Sequence, residues 1–264
     1  MDRDYWLKQE AGKPLFPELE WSRPENRQSA GKLLIIGGNL YGFAAVAEAY
    51  AVAAQAGIGT ARVLLPNAVQ KIVGRVLENG EFAPSTPSGS FSQQALNEFL
   101  LQAHWADGML LAGDLGRNSE TAILLEKFLH KRPGPLTLTK DAVDYAVSSP
   151  HTVLQRPNTL LVLSLSQLQR LGVAAKFDRP VAFSMDLLRL VEWLHEFTAA
   201  HALSIIVKHL DHIFVAWGGR VSTTKLASEL PVWRGQSAAT AAVWWLQNPT
   251  RPFEALTASQ FTIT

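Results

Sequence analysis

Two glycine-rich stretches carry the residue types best able to hold a ligand: Gly37-Gly38-Asn39-Leu40-Tyr41-Gly42 and Gly113-Asp114-Leu115-Gly116. Glycine lets the backbone take positive φ and approach a bound group closely. A helix that follows such a turn offers unpaired N–H groups and its dipole to an anion. Neither stretch is a G-x-G-x-x-G fingerprint or a phosphate loop, which needs Lys-Ser/Thr after its last glycine. The residues alone leave a ligand loop and a plain tight turn equally open. Arg234-Gly235 stands at the start of a helical segment, where the arginine either pairs with a phosphate or faces solvent. His209 and His212 flank Asp211, but a spacing of three on a strand or turn does not aim both imidazoles one way, and no third ligand is evident. No metal site is assigned. Ser164 and Ser166 follow a strand without a Gly-x-Ser-x-Gly elbow, which disfavours a hydrolase. The chain has no cysteine, which excludes a disulfide scaffold, a thiolate zinc site and a cysteine nucleophile.

The elements that must position these residues follow a regular order. Residues 1–31 are polar, with Pro14, Pro17, Pro24 and two tryptophans (Trp6, Trp21), and are expected to form an ordered arm laid over the body. Residues 32–264 form that body. A buried strand over 32–36 runs into the first glycine turn. A helix over about 43–56 stops at Gly57 and Gly59, as helix C-termini do. Strands follow over 60–65 and 108–112. Residues 79–92 read as a surface loop, and a helix starts near Ser119, taken as its cap, with Glu120 in the first turn. Two more strands, over 136–139 and 159–163, flank a short helix over 141–147. A long amphipathic helix covers roughly 184–201, strands with turns fill 204–224, and two last helices cover about 237–247 and 252–261. Strand, turn and helix in alternation predict an α/β domain with a mainly parallel sheet covered on both faces.

Composition narrows the class. The 24 Lys+Arg and 23 Asp+Glu leave a net charge of +1, without the cationic surplus a nucleic-acid binder uses against phosphate. The N-terminal residues lack an apolar leader core, and the longest apolar stretch, 44–59, is too short to span a bilayer and carries Glu48 and Gln55. A cytoplasmic protein with neither membrane nor nucleic-acid partner is expected. The adjacent pair Trp244-Trp245 can be buried only if its helix has two packed faces, which points to core together with a homo-oligomer contact.

Residues 32–59, with Gly-Gly-Asn and the closing Ala56-Gly57-Ile58-Gly59, resemble the opening of the NAD(P)H-hydrate dehydratases of the ribokinase-like superfamily, a carbohydrate-kinase-like group. Asp107–Arg117 is similar to that family's Asp-Ala-Leu-Val-Ile-Gly-Pro-Gly-Leu-Gly-Arg, and Ile205–Lys208 to the strand ending in its Lys-Gly. The resemblance implies a single ribokinase-like domain. It also implies a lyase-type repair reaction, in which ATP or ADP phosphorylates hydrated NADH or NADPH and phosphate then leaves. The implied substrate-binding residues are Gly37, Gly38, Asn39, Tyr41, Gly42, Asp114 and Gly116. The implied nucleotide-binding residues are Lys208, Arg234, Gly235 and Gln236, and the family also suggests a homo-oligomer.

The chain departs from the family where the chemistry lies. The family's Gly-x-Gly-Asp run falls on residues 232–236, so Gln236 stands in place of the catalytic aspartate, and no Asp or Glu lies between Glu229 and Glu254. A glutamine cannot serve as a base near neutral pH. The His-Pro-Gly-Glu run falls on Ser164-Leu165-Ser166-Gln167, the Lys-Gly pair on Lys208-His209, and Gly-Pro-Gly on Ala112-Gly113-Asp114. Of Asp-Ala-Asp-Ala-Leu, Asp141-Ala142-Val143 keeps the second half. Two readings follow. One is a dehydratase-like enzyme, degenerate or with a substitute base such as Asp114. The other is an inactive relative that binds a nucleotide or a partner, or serves in assembly.

Overall fold

The computed structural model describes residues 4–10, 12–73, 80–226 and 233–262. Val232, Glu229 and Asn79, which enter the sequence reading above, lie outside them. Among the described residues ten strands form one sheet: β1 (Trp6–Gln9), β2 (Lys32–Gly37), β3 (Thr60–Pro66), β4 (Gly80–Ala83), β5 (Gly108–Gly113), β6 (Leu136–Thr139), β7 (Thr159–Leu163), β8 (Leu203–His209), β9 (His212–Trp217) and β10 (Arg220–Lys225). Their order is β1-β10-β9-β8-β7-β6-β5-β2-β3-β4. The pairings are parallel except for β8–β9 and β9–β10. Those two follow hairpin turns at Leu210–Asp211 and Gly218–Gly219, where Leu210 and both glycines take positive φ. The fold is α/β with a mainly parallel sheet, as the alternation predicts.

The helices are α1 (Glu18–Trp21), α2 (Ala44–Gln55), α3 (Gln70–Val73), α4 (Leu96–Trp105), α5 (Ser119–Lys131), α6 (Asp141–Ser148), α7 (His151–Leu154), α8 (Leu165–Ala174), α9 (Leu187–Ala200), α10 (Trp233–Gln247) and α11 (Pro252–Phe261). Leu33, Leu34, Ile35 and Ile36 are all fully buried, because helices cover both faces of the sheet. Leu34 and Ile36 join Phe99, Phe128, Leu168 and Trp193 on one face. Leu33 and Ile35 meet Val46, Ala49, Ala238 and Val243 of α2 and α10 on the other. Each such Val, Leu, Ile or Phe side chain contributes ~1.5–3 kcal/mol. Among the described residues no helix is long and apolar enough to cross a membrane.

Several local expectations change. Residues 79–92 contain β4, which pairs in parallel with β3; four residues before Pro84 are too few to show an alternating pattern. The cap of α5 is Asn118, whose side chain accepts from the amides of Glu120 and Thr121, and not Ser119. The polar arm supplies the edge strand β1, paired with β10 from Trp6 to Gln9. Trp244 packs with Leu19, Ala255 and Ala258, whereas Trp245 faces the sheet-side core. Both tryptophans are therefore buried within one chain, and the pair supplies no reason for a subunit contact.

Candidate functional site

The C-terminal ends of β2, β5, β6 and β7 converge on one edge, where α/β sheets gather their ligands. Gly37 is needed here by close approach: a Cβ would lie 2.4 Å from the Gly113 carbonyl oxygen. The following turn is already hydrogen-bonded throughout. The amide of Gly38 donates to Gly113 O (2.9 Å), that of Asn39 to Gly42 O (2.8 Å), that of Leu40 to Gly89 O (3.0 Å) and that of Gly42 to Asn39 O (3.1 Å). The Tyr41 amide donates to Asn39 Oδ1 at 2.8 Å. Tyr41 itself points outward and is 86% exposed.

Asp114 closes the same corner. Its φ of 56° is left-handed, a conformation that aspartate tolerates better than most side chains. Its carbonyl accepts from Asn39 Nδ2 at 2.6 Å, and its Oδ2 accepts from the Ala45 amide at 2.8 Å. The residue at the N-cap position of α2, Phe43, provides no side-chain cap. A carboxylate from the turn after β5 thus caps the helix after β2, and it occupies the end that an anionic ligand would use.

Behind Asp114, the Asp141 carboxylate at the start of α6 accepts from the Gly116 amide through Oδ2 at 3.2 Å. Its Oδ1 is buried without a partner among the described residues. Burial holds this carboxyl above the ordinary range; the charges of Asp114 and Asp144 push the same way, against hydrogen bonds from the Gly116 and Leu115 amides. The Tyr145 hydroxyl donates to Gly116 O and accepts from the Asn118 amide at 3.1 Å; burial raises its pKa too. Gly116, Arg117, Asp141, Asp144, Tyr145 and Arg170 help to line a pocket of about 340 Å³, near the lower end of small-ligand sites.

The residues expected to hold nucleotide are dispersed. Arg234 donates to Gln167 Oε1 at 3.0 Å. Gln167 also donates to Lys140 O (2.7 Å) and Asp144 Oδ1 (2.8 Å), and with Ser164 it forms the capping box of α8. Ser164 and Gln167 therefore anchor a helix. Gly235 faces Glu48, with Oε2 placed 2.6 Å from where a Cβ would stand, and the same oxygen pairs with Lys140 at 3.1 Å. Gln236 lies in a separate groove of about 300 Å³ with Arg23, Gln55 and Thr240. Lys208 is half-buried near the end of β8, opposite Ile213. His209 and His212 face each other across the hairpin, but His209 Nε2 bonds Met185 O and His212 bonds Asp211.

The structure thus brings Gly37, Gly38, Asn39, Gly42, Asp114 and Gly116 to one corner and joins Arg234 to it through Gln167. Glu48, Lys140, Asp144 and Arg170 were not singled out in the sequence. The one signal that could have found the acidic wall is the spacing of Asp141 and Asp144, three apart in the first turn of α6.

No family model and no curated protein matches the sequence. The fold, however, is that of the ribokinase-like superfamily. A ribokinase-like superfamily protein from Enterococcus faecalis superposes with a TM-score of 0.73 at 15% identity, covering 99% of this chain and 87% of that one. A hypothetical protein from Streptococcus mutans reaches 0.69 at 13%, covering 92% and 85%. The ADP/ATP-dependent NAD(P)H-hydrate dehydratase of Bacillus subtilis, co-crystallised with ATP and Mg²⁺, reaches 0.59 at 13%, covering 94% and 86%.

Proposed function

We propose that this chain is a ribokinase-like binding protein in which the nucleotide-driven dehydratase reaction has been dismantled, and that its ligand is a small polar molecule held between Gly116 and Arg170. The observation that carries this reading is the hydrogen bond from the Ala45 amide to the Asp114 carboxylate. A phosphate within ~4 Å of that carboxylate meets a repulsion of about 4 kcal/mol at an effective dielectric near 20. A helix dipole returns only about 1 kcal/mol, so repulsion wins. At the start of α10, Glu48 sets a second carboxylate beside Gly235, where a phosphate would otherwise approach. ATP, ADP and the phosphates of NADH or NADPH therefore fit neither place, and Gln236 supplies no base. The pocket near Arg170 is lined by two arginines and two aspartates, of which Arg170 and Asp144 form an ion pair at 2.6 Å, a lining that suits a ligand bearing both hydroxyl and charged groups.

The test is conversion of hydrated NADH by micromolar protein with ATP or ADP, followed by recovery of the reduced-nicotinamide absorbance. No recovery is expected; protein-dependent recovery would overturn the reading. One observation favours retained nucleotide binding without catalysis: the Lys208 ammonium has no hydrogen-bond or ion-pair partner among the described residues. On that second reading ADP raises the melting temperature and Lys208→Ala abolishes the rise.

A further inference from the structure

Away from the sheet edge, α5 and α7 meet at a group of side chains with a different chemistry. Glu126 and His130 are one helical turn apart on α5, a spacing that brings their side chains to one face. His151 is the first residue of α7, and its Nε2 lies 3.5 Å from Glu126 Oε1. The imidazoles of His130 and His151 lie with centroids 5.8 Å apart and planes inclined by 30°. One donor atom from each of the three residues falls within 4.8 Å of the others.

We propose that Glu126, His130 and His151 form a binding site for a divalent transition-metal ion of the zinc class. Two imidazoles and one carboxylate are the donor set that zinc accepts in open sites, with a fourth position left to water. Tetrahedral zinc with bonds of ~2.1 Å sets its ligand atoms about 3.4 Å apart. The His151–Glu126 pair is already at that spacing. Closing the rest takes only side-chain rotation, because His130 and His151 are exposed and their movement disturbs no core contact. The ion would tie the four-residue helix α7 to the end of α5. Glu126 and Thr152 also line an apolar cavity of about 190 Å³ walled by Leu125, Leu129 and Ala142, so the bound ion would sit at its rim. The site lies outside the pocket assigned above and does not depend on its function.

The full chain, stripped of metal by a chelator and dialysed, is titrated with zinc chloride by calorimetry and in thermal melts. One saturable equivalent and a higher melting temperature are expected, since only the folded chain joins α5 to α7. Losing a group that merely orients a ligand costs about 10–100-fold in affinity. His130→Ala and His151→Ala are each expected to cost ~100-fold or more, while His212→Ala leaves affinity unchanged. Both histidine variants alter exposed positions, and unchanged far-ultraviolet circular dichroism verifies that they fold. Absence of saturable binding, or binding that survives both changes and is lost in His212→Ala, overturns the proposal.

Discussion

At the scale of single residues, Asp114 places its carboxylate on the amide end of α2 at the glycine corner. Its side chain satisfies an amide 69 positions away, a contact that no local pattern reveals. In the sequence it reads as a ligand contact or a substitute base, whereas in the fold its carboxylate caps α2. Asp114→Ala removes that cap and leaves alanine in a left-handed conformation, so unfolding by denaturant is expected to show a loss of about 2–3 kcal/mol. Asp114→Asn keeps an acceptor and tolerates positive φ, and it is expected to stay within about 1 kcal/mol of the parent.

Asp141 makes a separate prediction through pH. Its folded-state pKa is raised, by burial first, so the folded chain holds a proton over a window where the unfolded chain has released it. Stability therefore falls as pH rises through that window, and the full cost is present above the folded value. Asp141→Asn is expected to be more stable than the parent at neutral pH and to show a flatter stability profile from the carboxylate range upward. An unchanged slope would mean that Asp141 is not the buried titrating group.

At the scale of elements, the glycine stops and apolar runs were legible, because both act within a few residues. The strands over residues 32–37 and 108–113 fall where the apolar runs place them. The short elements were not legible: β4 and α7, four residues each, are fixed by their neighbours more than by their own pattern. The arm shows this most clearly. Leu19 lies in a helix of only four residues, too short to be stable by itself, yet it is 2% exposed because Trp244, Ala255 and Ala258 cover it. Leu19→Ala is expected to cost about 2–5 kcal/mol in denaturant unfolding. A loss below 1 kcal/mol would mean that the arm is only loosely attached. The Ser164–Gln167 capping box adds a structural task for two polar side chains that the run of residues around them does not announce.

At the scale of the whole molecule, the alternation of strands and helices and the apolar strand runs are enough to set the three-layer α/β class. Hydrophobic burial works on that periodicity, and periodicity is written along the chain. The sequence also determined what is missing: no cysteine chemistry, and no carboxylate between Glu229 and Glu254. Tertiary structure alone decided where the remaining charges point. Asp114 turns to Ala45, Glu48 to Lys140 and Gly235, and Arg234 to Gln167, while two adjacent tryptophans find separate cores on one chain. Each of these pairings joins residues far apart in sequence, and their energies depend on distance and burial. Only the folded chain sets those two quantities.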